Sequence, residues 1–180
     1  PLDHDRWIAH LTYNGEESGK QIGDALAEAI GGEGGIIALQ GVLDTAAAKD
    51  RFAGLEASLA ENTGMELLDE QTANFSRQEA LTVTKTLLTK HGDAVKGIWT
   101  ANDDMALGAA RAVADAGKSD DIAVIGFDDV PQAASPNYRL TTYRQPIMEM
   151  ANYLVDILEQ PDTSNLDRTF LGRLEVRESA

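Results

Sequence analysis

Short, continuously apolar runs separated by helix-length amphipathic stretches constrain this chain more than any other feature. Residues 36–39 (Ile-Ile-Ala-Leu), 96–100 and 121–127 (Asp-Ile-Ala-Val-Ile-Gly-Phe) do not alternate apolar with polar. That is the pattern of strands buried on both faces. Residues 65–68 and 140–143 are further strand candidates, and 171–176 a last one. Helical patterns fill the intervals. Residues 18–30 place Ile22, Ala25, Leu26, Ala29 and Ile30 at helical spacing, and Gly31-Gly32 stops them. Thr45 is placed to cap a helix running to about Glu61, with Phe52, Leu55 and Leu59 inward. Ser76 with Glu79 three residues on forms a capping-box pattern ahead of Leu81, Val83, Leu87 and Leu88. Asn102 or Asp103 caps a helix that ends at Gly117, and residues 148–158 predict another. Strand and helix in alternation, with short connections, predict an α/β fold: a doubly wound parallel sheet covered on both faces.

A length of 180 residues suits one domain, or one domain plus part of another. Hydrophobic residues make up 43% and charged residues 25%, as in soluble globular proteins. No apolar run is long enough to span a bilayer. Pro1 is followed at once by His4, Asp5 and Arg6, with no secretory leader pattern, so a processed chain or a piece of a longer one is expected. The net charge of −15 argues against nucleic-acid binding through this segment, because phosphates need a basic face. The absence of cysteine excludes disulfides, thiolate metal sites and a cysteine nucleophile, and leaves the compartment open.

Sheets of this kind bind ligands beyond the carboxyl ends of their strands. After residues 36–39 come Gln40-Gly41-Val42-Leu43-Asp44 and then Arg51. Thr72, Asn74 and Phe75 follow the next run, Asn102-Asp103-Asp104 the third, Phe127-Asp128-Asp129 the fourth, and Gln145 the fifth. Arg51, Phe75, Asn102, Asp128 and Gln145 suit a polyhydroxylated ligand. A carboxylate accepts from neighbouring hydroxyls, a guanidinium donates in a fork, amides do both, and a ring stacks on the apolar face of a sugar. Taken singly, each has an ordinary explanation: Asn102 a helix cap, Asp128 a loop residue, Arg51 a surface partner of Asp50 or Glu33, Phe75 a core residue. Enzyme signatures are missing: no G-x-G-x-x-G after a strand, no P-loop, no G-x-S-x-G elbow. His4, His10 and His91 lack a ligand spacing, and His91 reads as a solvated cation at a helix end. Asp103-Asp104 and Asp128-Asp129 read as one carboxylate each in a site or cap and one in solvent. No catalytic residue, metal or cofactor is expected.

Ala101-Asn102-Asp103-Asp104-Met105-Ala106-Leu107-Gly108-Ala109, followed by Ile122-Ala123-Val124-Ile125-Gly126-Phe127-Asp128-Asp129, resembles the signature of type I periplasmic sugar-binding proteins, the ribose-binding kind above all. Leu39-Gln40-Gly41, residues 46–54 and Ala73-Asn74-Phe75-Ser76-Arg77 extend the resemblance over nearly the whole chain. Lac-repressor-like regulators share the same ligand core, and residues 140–146 and 174–179 resemble their tails.

The resemblance implies a two-lobed, hinge-closing binding protein with a monosaccharide or related polar ligand. It implies an ABC permease as partner, and a periplasmic or lipid-anchored extracellular location; a regulator would be cytoplasmic. It places Arg51, Phe75, Asn102, Asp128 and Gln145 at the sugar, with Asp5 and Arg6 resembling the pair the other lobe contributes. Asn14, within Tyr13-Asn14-Gly15, and Pro146, within 142–146, resemble hinge crossings. Residues 15–145 then form a nearly complete second lobe and 1–14 a remnant of the first lobe and its hinge. Residues 146–170 return to the first lobe, and 171–180 form a C-terminal strand or tail. Most of the first lobe is thus missing, which leaves half a clamp and first-lobe segments able to pair with a second copy of the chain.

Overall fold

The computed structural model describes residues 9–159 and 166–180. Its centre is a six-stranded sheet in the order β3-β2-β4-β5-β6-β8. The strands are β2 (Gly34–Gln40), β3 (Met65–Thr72), β4 (Val95–Thr100), β5 (Ala123–Asp128), β6 (Thr141–Arg144) and β8 (Arg173–Glu175). Those from β3 to β6 run parallel; β8 joins β6 antiparallel, with Tyr143 opposite Leu174. A second, two-stranded parallel sheet pairs β1 (Leu11–Tyr13) with β7 (Arg168–Phe170).

The helices are α1 (Gly15–Ala29), α2 (Ala46–Glu61), α3 (Arg77–His91), α4 (Asp103–Asp115) and α5 (Ile147–Glu159). Helix α1 packs on α2 and α3 on α4. Crossovers between parallel strands are right-handed as a rule, which with this strand order puts one pair on each face of the sheet. Central strands sealed on both sides explain the continuous apolar runs: Ile36, Ile37, Ala38, Leu39, Ile98, Trp99, Ile125 and Phe127 are all fully buried.

The structure departs from the sequence reading in several places. Helix α1 begins three residues early, at Gly15, because Asn14 caps it by accepting from the Glu17 N–H at 3.0 Å. Ala29 faces out; the inner side of α1 is made instead by Ser18, Gly19, Ile22, Gly23 and Leu26. Strand β3 runs on to Thr72, past the apolar run, because main-chain pairing with β2 continues to Gln40 opposite Thr72. The Ser76 box is half formed. Ser76 accepts from the Glu79 N–H, but the Glu79 carboxylate takes the Asn74 amide at 2.7 Å instead of reaching back. Residues 171–176 do not make one strand: Leu171-Gly172 breaks the run, leaving β7 in one sheet and β8 in the other.

Candidate functional site

The strand order reverses between β2 and β4. From β2 the chain moves to β3 on one side, then crosses back to β4 on the other. Such a reversal opens a crevice at the carboxyl ends of the two strands. Asn102 stands after β4, and Arg51 on α2 reaches over the same place.

Arg51 is 5% exposed, so a surface pair with Asp50 or Glu33 is not what it makes. Its Nη1 donates to the Ala101 carbonyl at 2.5 Å and its Nη2 to the Tyr13 hydroxyl at 2.7 Å. The guanidinium carbon lies 3.5 Å from the Phe127 ring centroid. Phe127 is itself stacked on Tyr143, centroids 5.2 Å apart. A desolvated cation over a ring is worth roughly 2 kcal/mol, and the plane of the ring fixes the plane of the fork. The buried Nε–H of Arg51 has no partner among the described residues.

Asn102 combines the two roles that its sequence position left open. Its Oδ1 accepts from the Met105 N–H at 2.9 Å and caps α4, while its Nδ2 has no partner among the described residues. The cap therefore holds the free amide donor in place.

Asp128, last residue of β5, has a φ of 122°, in the region that favours glycine. Its Oδ1 accepts from Gln145 Nε2 at 2.6 Å, and its other oxygen has no partner among the described residues. Burial pushes its pKa above the ordinary carboxylate value, against the pull of the Arg51 charge and the Gln145 hydrogen bond. Asn102, Asp128 and Gln145 thus stand at the ends of the adjacent strands β4, β5 and β6, and Arg51 reaches the same edge from α2.

Phe75 is placed one strand further out, half-buried, with φ 59°. Its ring fills the space over Gly41, where an added Cβ would come within 2.0 Å of it. Asp5 and Arg6 lie outside the described residues. Asn14 caps α1 and donates its N–H to the Phe170 carbonyl, tying the end of β1 to β7. Pro146 is buried between β6 and α5, and its carbonyl accepts from the Met150 N–H.

One acidic pair and one histidine differ from expectation, while Asp103-Asp104 divides as expected into a buried and an exposed carboxylate. Asp129 is not solvated. Its side chain is 5% exposed and gripped by Arg144 and Arg177. Burial alone would raise its pKa; the two arginines outweigh that and lower it. Asp103 is fully buried, and Asp104 pairs with Arg77 at 2.6 Å across the N-termini of α3 and α4. His91 is not a free cation: its Nε2 lies 3.0 Å from Asp69. The Asp69 carboxyl is held well below the ordinary range by His91 and then Lys90. The residues that sequence reasoning passed over are Tyr13 and Phe127, the partner and platform of Arg51. Their contacts join segments far apart in the chain, and no local motif signals them.

With that geometry in view, the chain's likenesses are specific. Residues 3–135 match the model of the periplasmic binding protein domain family. The ribose import binding protein RbsB of Escherichia coli K12 is 40% identical over 124 residues, covering 69% of this chain and 41% of that protein. A periplasmic solute binding protein of an ABC transporter from Actinobacillus succinogenes, solved with bound D-allose, superposes with a TM-score of 0.83 at 25% identity, over 91% of this chain and 60% of that one. A dimeric Lac repressor with a C-terminal deletion superposes with a TM-score of 0.81 at 26% identity, over 94% and 63%. The chain spans about two fifths of the length of its ribose-binding relative. A type I periplasmic-binding-protein fold, in partial form, is what this sheet order and these matches describe, and the chain belongs to the periplasmic binding protein domain family.

Proposed function

We propose that this chain supplies one lobe of a monosaccharide-binding protein that closes on its ligand by a hinge and hands it to an ABC permease. The observation that carries this reading is the set of three polar groups left without partners, among the described residues, around the strand ends. Of these only the Arg51 Nε–H is fully buried; burying a polar group without a partner costs on the order of 1–3 kcal/mol, a cost that an acceptor on a ligand would offset. The free oxygen of Asp128 accepts, while Arg51 Nε–H and Asn102 Nδ2 donate. Vicinal hydroxyls of a pentose or hexose match that set, since each both donates and accepts. The names of the relatives, ribose import and D-allose binding, agree with it. Phe75 is assigned to the sugar's apolar face. Asp5 and Arg6 are assigned to the opposing lobe, and Asn14 and Pro146 to the crossings between lobes, with residues 15–145 as the second lobe and 146–170 returning to the first. The site binds without turnover, in the periplasm or on the outer face of a membrane.

Isothermal titration of the intact protein with D-ribose and D-allose tests this reading. A micromolar or tighter dissociation constant, near −8 kcal/mol, is expected for at least one of them. Asp128→Ala should abolish measurable binding while circular dichroism stays unchanged. Undiminished affinity in that variant would remove Asp128 from the site.

The likeness to a Lac repressor supports a second reading, the effector-binding core of a cytoplasmic transcriptional regulator. Sugar-dependent DNA binding by the intact protein would select it. Sugar uptake that depends on the intact protein would select the transporter.

A further inference from the structure

The Asp103 carboxylate is the most thoroughly buried acidic group near the site, with no accessible surface. Solvated surface aspartates need no explanation, but an enclosed one must be satisfied from within. Here both oxygens are. Oδ1 accepts from the Thr142 hydroxyl at 2.6 Å and Oδ2 from the Val130 N–H at 2.8 Å. The same Thr142 oxygen accepts the Asp129 N–H at 3.3 Å. One carboxylate at the head of α4 therefore holds the turn after β5 by two consecutive amides, one directly and one through Thr142.

That turn needs holding. Asp128 and Asp129 have φ values of 122° and 55°. Consecutive non-glycine residues in this region persist only where the surroundings over-determine them. Asp129 is gripped from the far side by Arg144 and Arg177, while Asp128 is fixed through Gln145. The charged groups facing Asp103 are Asp128 at the end of β5 and Asp129 in the turn that follows; from β6 and the tail, Arg144 and Arg177 neutralise Asp129. Gly126 is part of the same device: a Cβ there would lie 2.2 Å from Asp103 Oδ1. The glycine of Gly126-Phe127-Asp128 makes room for the carboxylate of the residue after Asn102, so the two sequence blocks are one interlocked unit.

We infer that Asp103 is a positioning residue for the binding site: its buried carboxylate latches the 128–130 turn to β6 and so aims Asp128 at the ligand. This rests on the sugar-binding reading above. Asp103 touches no ligand; it acts through Asp128 and Gln145.

The test combines D-ribose titration with amide hydrogen exchange in the intact protein. Asp103→Ala should weaken D-ribose binding by about tenfold or more, the usual effect of losing hydrogen bonds to a charged group. Exchange should quicken at the Asp129 and Val130 amides while those of β4 and α4 stay protected. Asp103→Asn, which can still accept from Val130 and donate to Thr142, should recover most of the affinity. If Asp103→Ala does not fold, Thr142→Val decides, with weaker binding and faster exchange at Asp129. Parental affinity in Asp103→Ala, or in Thr142→Val where that variant decides, overturns the latch. So does a loss accompanied by uniformly faster exchange through β4, β5 and α4. Should the parent bind neither D-ribose nor D-allose, the sugar reading falls, and localised exchange at Asp129 and Val130 still decides whether the latch exists.

Discussion

At the scale of single residues, the site depends on charges taken out of water. Arg51 is tolerated because a carbonyl, a phenol and an aromatic face replace its hydration. Asp103 is a different case. Burial raises its pKa to about 6, reinforced by Asp128 and Asp129, and the hydrogen bonds from Thr142 and Val130 only partly offset this. A folded value above the ordinary 3.8 means that the protonated form is favoured in the fold. The stability it contributes is complete below about pH 4 and is lost as pH rises through about 6. Asp103→Asn should therefore flatten that part of the stability profile, by up to roughly 3 kcal/mol across the window. Urea unfolding of both proteins at pH 4.5 and pH 7.5 measures it. Parallel pH profiles would show that Asp103 titrates normally. Asp129 has the opposite sign: its lowered pKa gives stability above the ordinary value that is lost as pH falls.

At the scale of elements, the position of Arg51 is decided by how closely α1 and α2 approach. Where they come closest, the contact is made by Gly19, Gly23, Gly54 and Ser58. A Cβ on Gly54 would come within 2.1 Å of the Glu16 carbonyl oxygen, and one on Gly19 within 2.1 Å of that of Arg51. Backbone cannot yield as a side-chain tip can. Gly54→Ala is expected to cost about 1–3 kcal/mol of stability through overpacking. It should also weaken sugar binding, because the helix that must move carries Arg51. Denaturant midpoints and titration on the same samples check both. Unchanged affinity would mean that α2 shifts without carrying its arginine along. Helix α5 shows the reverse relation. Its amphipathic pattern predicts burial, yet Ile147, Met148, Leu154, Val155 and Leu158 are exposed and only Ile157 is buried.

At the scale of the whole molecule, the proposed clamp closes because only the closed state makes contacts from both lobes at once. D-ribose at saturating concentration is expected to reduce the radius of gyration of the intact protein in small-angle scattering. Unchanged scattering at saturation would mean binding without closure. The acidic surface, −15 overall, suits a neutral ligand and repels an anionic one.

The sheet and its helices were legible in the sequence because local chemistry decides them. Continuous apolar runs, Thr45, Ser76 and Asn102 at helix starts, and glycines at helix ends each act within a few residues. The candidate site could be drawn from the sequence as a set of strand-end residues, since parallel topology alone puts them on one edge. The sequence could not show which polar groups are satisfied internally and which have no partner among the described residues. Asp128 and Asp129 are chemically identical neighbours. Gln145 engages one oxygen of the first, while two arginines close over the second. Arg177 reaches Asp129 from 48 residues away, and Thr142 reaches Asp103 from 39. Such pairings depend on strand order, and strand order is set only when the whole sheet assembles and its long-range contacts form together.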